Sequence, residues 1–160
     1  MFVLNHHIAN DLKTRMGPAY TENVTVNYSL IRGAGLGLFA TADFQAGQLI
    51  GVYAGEIITQ DAAALRDSDY MASIPNSETV IDARDQHCCF TRYANDCITD
   101  HELNADFTVF PEQAGLLWLE ANQDIDAGEE IYVSYGDDYF NDINRFSSLS
   151  TRSQYLYRNS

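Results

Sequence analysis

Apolar and polar positions alternate along much of the chain. The pattern is clearest over Glu129-Glu130-Ile131-Tyr132-Val133-Ser134-Tyr135, which follows the turn signal Asp126-Ala127-Gly128 and stops at Gly136-Asp137-Asp138. That is the signature of a strand bounded by breakers. Val24–Tyr28 alternates in the same way and predicts a first strand. Residues 49–58 are rich in β-branched side chains and predict one strand or a pair. Residues 61–70 are alanine-rich around Leu65 and predict a short helix. Residues 70–74 and 79–83 read as short strands on either side of a Pro75-Asn76 turn. Many short strands with little helix predict a mostly β domain.

Two further patterns are visible. In Arg32-Gly33-Ala34-Gly35-Leu36-Gly37-Leu38, glycine occupies every second position. Such a run either lets backbone approach a ligand or makes a tight hairpin turn. It is not a dinucleotide fingerprint, because its spacing is wrong and no helical pattern follows. The second is an internal echo. Asp43-Phe44-Gln45-Ala46-Gly47 and Asp124-Ile125-Asp126-Ala127-Gly128 share Asp, an apolar residue, any residue, then Ala-Gly, each before a strand. This predicts one turn used twice, with glycine supplying a positive φ. Residues 1–23 are polar and mixed, broken by Met16-Gly17-Pro18, with Asn10-Asp11-Leu12 able to cap a short helix. They read as an N-terminal extension.

Composition narrows the functional classes. The chain has 160 residues, 46% of them hydrophobic, which fits one globular domain with a real core. The net charge is −14, nine Lys and Arg against 23 Asp and Glu. A basic nucleic-acid-binding face is therefore not expected. A lysine- and arginine-rich peptide would be drawn to such a field, although solubility alone also accounts for it. The start lacks the basic flank and apolar core of a signal peptide, and no apolar run reaches membrane-spanning length. Three cysteines, Cys88, Cys89 and Cys97, argue against a disulfide scaffold and fit a reducing, intracellular compartment. With His87 and His101 nearby they raise a metal site. Adjacent Cys88 and Cys89 would point to opposite faces of a strand, so buried thiols are preferred and no metal is expected.

The glycine run, Val52-Tyr53-Ala54-Gly55-Glu56, Arg92-Tyr93-Ala94-Asn95-Asp96-Cys97 and Gly128-Glu129-Glu130 through Ser134-Tyr135-Gly136 occur in this order. Together they resemble the SET domain, the protein-lysine methyltransferase family that uses S-adenosylmethionine. The likeness spans residues 24–140 and leaves 141–160 as a C-terminal tail. It implies a β-clip fold of small sheets with few short helices and a C-terminal pseudoknot, in which residues 92–97 thread past the last strand. It also implies that Gly35, Leu36 and Gly37 lie along the cofactor's methionine part, with Tyr70, Arg92, Asn95 and Asp96 completing that pocket. Tyr53, Val133 and Tyr135 would line the lysine channel, Tyr135 as the catalytic tyrosine with Tyr53 beside it.

The chain departs from the family in three places. Asp96 stands where the family usually carries histidine, and Asn104 follows Leu103 where a Pro-Asn pair is usual. The tail lacks the cysteines of a zinc segment. Its Tyr155, Leu156 and Tyr157, with Phe140 and Phe146, would instead close the channel by packing, or the tail is a frayed terminus.

Methyl transfer to lysine needs such residues. Free lysine has a pKa of about 10.4, so burial must favour the neutral amine. No covalent nucleophile is required. Holding two groups in attack geometry removes several kcal/mol of barrier. Aromatic walls exclude water and tolerate a cation. Two functions are therefore expected from the sequence: a lysine methyltransferase of histone tails, or an inactive SET-like peptide-binding module. Valine at position 133 cannot hydrogen-bond an amine or a water, which favours di- or trimethylation.

Overall fold

A computed structural model of the chain describes residues 23–85, 89–97, 102–110 and 115–136. The strands are β1 (Val24–Tyr28), β2 (Leu36–Ala40), β3 (Leu49–Tyr53), β4 (Glu56–Thr59), β5 (Met71–Ser73), β6 (Thr79–Asp82), β7 (Ala105–Thr108), β8 (Leu117–Ala121) and β9 (Glu130–Ile131). Helix α1 (Gln60–Ala64) follows β4, and a 3-10 turn covers Thr91–Tyr93. The strands form three antiparallel three-stranded sheets, ordered β1-β2-β9, β3-β8-β7 and β4-β6-β5. The expectation of a mostly β molecule built from small sheets is met.

The glycine run forms the β1–β2 hairpin. Ser29 N donates to Gly35 O at 2.9 Å, and Gly33 and Gly35 take φ values of 84° and 79°, which favour glycine. Residues 49–58 are two strands. They break at Gly55, where a Cβ would sit 2.3 Å from Asp82 O, so β4 approaches β6 only without a side chain there.

Two predicted elements are longer than the observed ones. The helix expected over 61–70 stops at Ala64. Thr59 Oγ1 accepts from Ala62 N and opens α1, but residues 66–70 serve another purpose: Arg66 and Ser68 bond to Asp82. The strand expected over 129–135 pairs regularly with β2 only at Glu130 and Ile131, after which Tyr132 and Val133 form single parallel bridges to Asn95 and Ala105.

Those bridges produce the crossing that defines the molecule. Val133 N donates to Asn95 O at 2.9 Å on one side, and Ala105 N donates to Tyr132 O at 3.0 Å on the other. The segment after β9 therefore lies between two legs of the chain, residues 95 and 105, that covalent continuity joins into a loop. Asn104 adds two clamps, Nδ2 to Glu130 O at 2.9 Å and Oδ1 from Tyr132 N at 2.8 Å.

The echoed turns face each other. Phe44 and Ile125 exchange both backbone hydrogen bonds at 2.9 Å. Ala46 N donates to Asp124 Oδ1 and Ala127 N to Asp43 Oδ1, each at 2.9 Å. Gly47 N reaches Ala121 O and Gly128 N reaches Ala40 O, at 2.7 and 2.8 Å. Each aspartate thus satisfies a backbone donor in the other copy of its own turn. Phe44 and Ile125 carry this interface into the largest core, which also takes in Leu38, Ile50, Leu119 and Ile131.

Candidate active site

A cavity of about 570 Å³ opens beside the crossing. That is an ordinary size for a small-molecule site. Four residues expected at the site line it: Tyr53, Tyr70, Arg92 and Tyr135. They come from β3, the loop before β5, the 3-10 turn and the segment after β9. The sequence separates these stretches widely, and the crossing brings them together.

Tyr53 ends β3 and is buried. Its hydroxyl donates to Tyr70 O at 2.9 Å, and its ring meets Phe107 edge-on at 5.3 Å. Tyr135 is half-buried, and its hydroxyl donates to Ala94 O at 2.9 Å. Each phenol proton is thus committed to a backbone carbonyl, so toward a third group the oxygen acts as acceptor. Phe107 also lines the cavity, a residue that the sequence did not mark out.

Arg92 supplies a positive charge to a lining that also holds Asp69. Its guanidinium carbon lies 3.8 Å from the Tyr70 ring centroid and 5.0 Å from that of Tyr93. Stacking of this kind fixes a planar cation without using its N–H groups. Nη1 reaches Tyr93 OH at 3.5 Å, while Nε is buried without a hydrogen-bond partner. A buried, unpartnered donor on a cation in a cavity wall suits an anionic ligand group.

The other expected site residues do not line the cavity. Gly35 and Leu36 lie in the hairpin and at the start of β2. Gly37 is buried beside the acid of β9, where a Cβ would meet Glu130 Oε1 at 2.2 Å and Asn95 Nδ2 at 3.2 Å. Asn95 directs Nδ2 to Leu36 O and Glu130 Oε1, both at 3.0 Å, and so ties the hairpin to the crossing. Asp96 accepts from Tyr135 N. Val133, expected in the lysine channel, lies in the core instead: it is 1% exposed among Leu38, Ala94 and Ile131.

The sequence alone assigns no role to Glu130. Its carboxylate is 2% exposed and accepts from Ser29 Oγ, Leu30 N, Asn95 Nδ2 and Tyr132 OH at 2.7–3.0 Å. Burial, the hydrogen bond to Glu130 and its charge all push the Tyr132 phenol up, keeping it a donor. The available signal was an acid inside an alternating strand, next to Ile131. A second network sits behind Tyr70. Asp82, on β6, accepts from Ser68 Oγ, Arg66 Nη1 and Arg84 Nε at 2.7–3.1 Å. Burial pushes its carboxyl up, but those hydrogen bonds outweigh it and hold the group below the usual range.

Among the described residues, no group of three or more His, Cys, Asp or Glu is placed to hold a metal ion. Cys89 Sγ donates to Ala54 O at 3.2 Å. His87, Cys88 and His101 lie outside the described residues, as do the N-terminal extension and the aromatic residues of the tail. No described helix is long and apolar enough to cross a membrane.

Residues 35–136 match the family model described as the SET domain. The chain belongs to the SET-domain family. No curated protein matches it at a significant level. SET domains are protein-lysine-methyltransferase-type domains that bind peptide substrates and generally use S-adenosylmethionine. In this SET domain the matched span runs from Gly35 through Gly136 and includes the cavity residues, the Asp82 network and the crossing, while Ser29 and Leu30 of the Glu130 network lie just before it.

Proposed function

We propose that this chain is an S-adenosylmethionine-dependent protein-lysine N-methyltransferase acting on basic peptides of the histone-tail kind. One observation carries the reading. A single cavity is lined by two tyrosines, whose hydroxyls are each fixed by a backbone carbonyl, and by a buried arginine whose Nε has no partner.

S-adenosylmethionine, when bound, supplies a methyl group on a sulfonium. Arg92 suits its carboxylate, with Tyr70 forming the adjoining wall. Tyr135 is the catalytic residue of this reading and Tyr53 its partner. Their oxygens accept from the lysine amine and orient its lone pair, and the rings of Tyr53 and Phe107 exclude water. An amine desolvated between aromatic rings loses its proton more readily than one in water. Positioning of this kind, rather than covalent chemistry, supplies the rate. The acidic protein attracts a basic substrate.

The reading extends to two or three methyl groups per lysine. Ala72 and Phe107 add apolar side chains to the cavity lining, against which a methylated amine can pack. With Val133 in the core, product number depends on these walls. The reading also places the enzyme in a reducing compartment, the nucleus where a histone is the substrate, which cell fractionation would test.

The deciding experiment incubates the full chain with excess S-adenosylmethionine and lysine-rich peptides, histone-tail sequences among them, and follows mass. The expected product carries two or three methyl groups. Product that stalls at one overturns the multiplicity. Peptide binding without transfer would leave a SET-like binding module. Absence of both would refute the proposal.

A further inference from the structure

The geometry points to Asp96 as a positioning residue that holds Tyr135 in its working orientation. For its effect on turnover this inference rests on the methyltransferase reading above; the anchor itself does not.

Asp96 is buried beside the crossing, and it does not line the cavity. Its side chain is turned to the strand instead. Oδ2 accepts a hydrogen bond from Tyr135 N at 2.8 Å, and the residue is 6% exposed. Two residues earlier on the same segment, Ala94 O accepts the Tyr135 hydroxyl at 2.9 Å. Between them, Asn95 O accepts from Val133 N at 2.9 Å. Three consecutive residues thus hold the strand backbone at 133, the backbone at 135 and the tip of the tyrosine.

The anchor is needed because of where β9 ends. Regular pairing with β2 stops at Ile131, so no sheet ladder extends to Tyr135 N. A carboxylate acceptor makes a shorter and stronger bond to a backbone N–H than a neutral one does. A tyrosine pinned at both ends has little freedom to swing, and a misplacement of about 1 Å in a reacting group costs on the order of 100-fold in rate. Asp96 therefore acts through Tyr135 rather than on the cofactor.

The test compares Asp96→Ala, Asp96→Ser and Asp96→Asn in the full chain. Three quantities are measured: hydrogen exchange of the Tyr135 amide by NMR, S-adenosylmethionine affinity by calorimetry, and kcat and KM for a lysine peptide. The expected result for Asp96→Ala is loss of protection at the Tyr135 amide and at least a tenfold lower kcat, with cofactor affinity within about twofold. Asp96→Asn keeps an oxygen acceptor and recovers most of both losses. Asp96→Ser, too short to span the gap, behaves like Asp96→Ala and stands in for it should that variant not fold. Unchanged amide protection, or reduced cofactor affinity with kcat at saturation intact, overturns the inference. Wild-type protein that transfers no methyl group defeats the methyltransferase reading instead. Amide exchange in the variants then decides the anchor alone.

Discussion

Each oxygen of Glu130 faces a donor that cannot reverse its role. Oε1 meets Asn95 Nδ2, already committed to Leu36 O, and Oε2 meets Leu30 N. Glutamine is nearly the same shape but carries one oxygen and one NH₂ group. In either orientation it sets N–H against N–H. Glu130→Gln is therefore expected to destabilise the fold by about 2–4 kcal/mol, read as a lowered urea midpoint. Tyr135→Phe should behave differently. It gives up one hydrogen bond to Ala94 O, worth about 1 kcal/mol, and leaves the chain folded. Methyl transfer should fall by about 100-fold at saturating cofactor, and near wild-type turnover would remove the hydroxyl from the mechanism. Tyr135 was legible in the sequence because a strand-end tyrosine before glycine belongs to a recognisable motif. Glu130 lies in the same motif and was not singled out. Its partners Ser29 and Leu30 lie 101 and 100 positions away, where no local pattern reaches.

Elements were legible where a period decided them and less so where tertiary partners did. β1, β5 and β6 follow from alternation and turn residues. The helix predicted over 61–70 failed at Leu65, which is 89% exposed, because Arg66 and Ser68 leave the helical path to reach Asp82 on β6. That loop carries Tyr70, whose carbonyl receives the Tyr53 hydroxyl, so the β6 network supports one wall of the cavity. It should also be acid-sensitive. The folded carboxyl of Asp82 lies below its unfolded value of about 3.9, so its contribution is complete above that pH and disappears as pH falls through the lower folded value. The melting temperature of Asp82→Asn should accordingly lie below wild type at neutral pH, and the gap should begin to close below about pH 4 and vanish only once pH has passed the lower folded value. A gap that persists into strong acid would mean that the pairing with Arg66 and Arg84 is not what Asp82 contributes.

For the whole molecule, the net charge of −14 predicts a salt effect on encounter rather than on chemistry. Raising ionic strength shortens the screening length, so kcat/KM for a basic peptide should fall about fivefold between roughly 50 and 500 mM salt while kcat changes little. A flat profile would assign the acidity to solubility alone. Architecture at this scale could be read from the order of motifs and from the echoed turns. Their docking on one another could not, because it depends on reciprocal bonds spanning 78 and 84 positions. Closing a loop of that length costs about 4 kcal/mol before any contact rewards it. Topology of this kind slows folding relative to helical domains. It also fixes an order of events. Two of the three sheets can pair before β9 exists, but the second echoed turn, the clamp on Asn104 and the anchor on Tyr135 all need residues 124–135. During synthesis the ribosome releases these residues after their partners Asp43, Ala46, Ala94, Asp96 and Asn104. The bridges of Asn95 and Ala105 to Tyr132 and Val133 therefore form only once that segment has emerged, and the part of the cavity wall that Tyr135 supplies is assembled only at that moment.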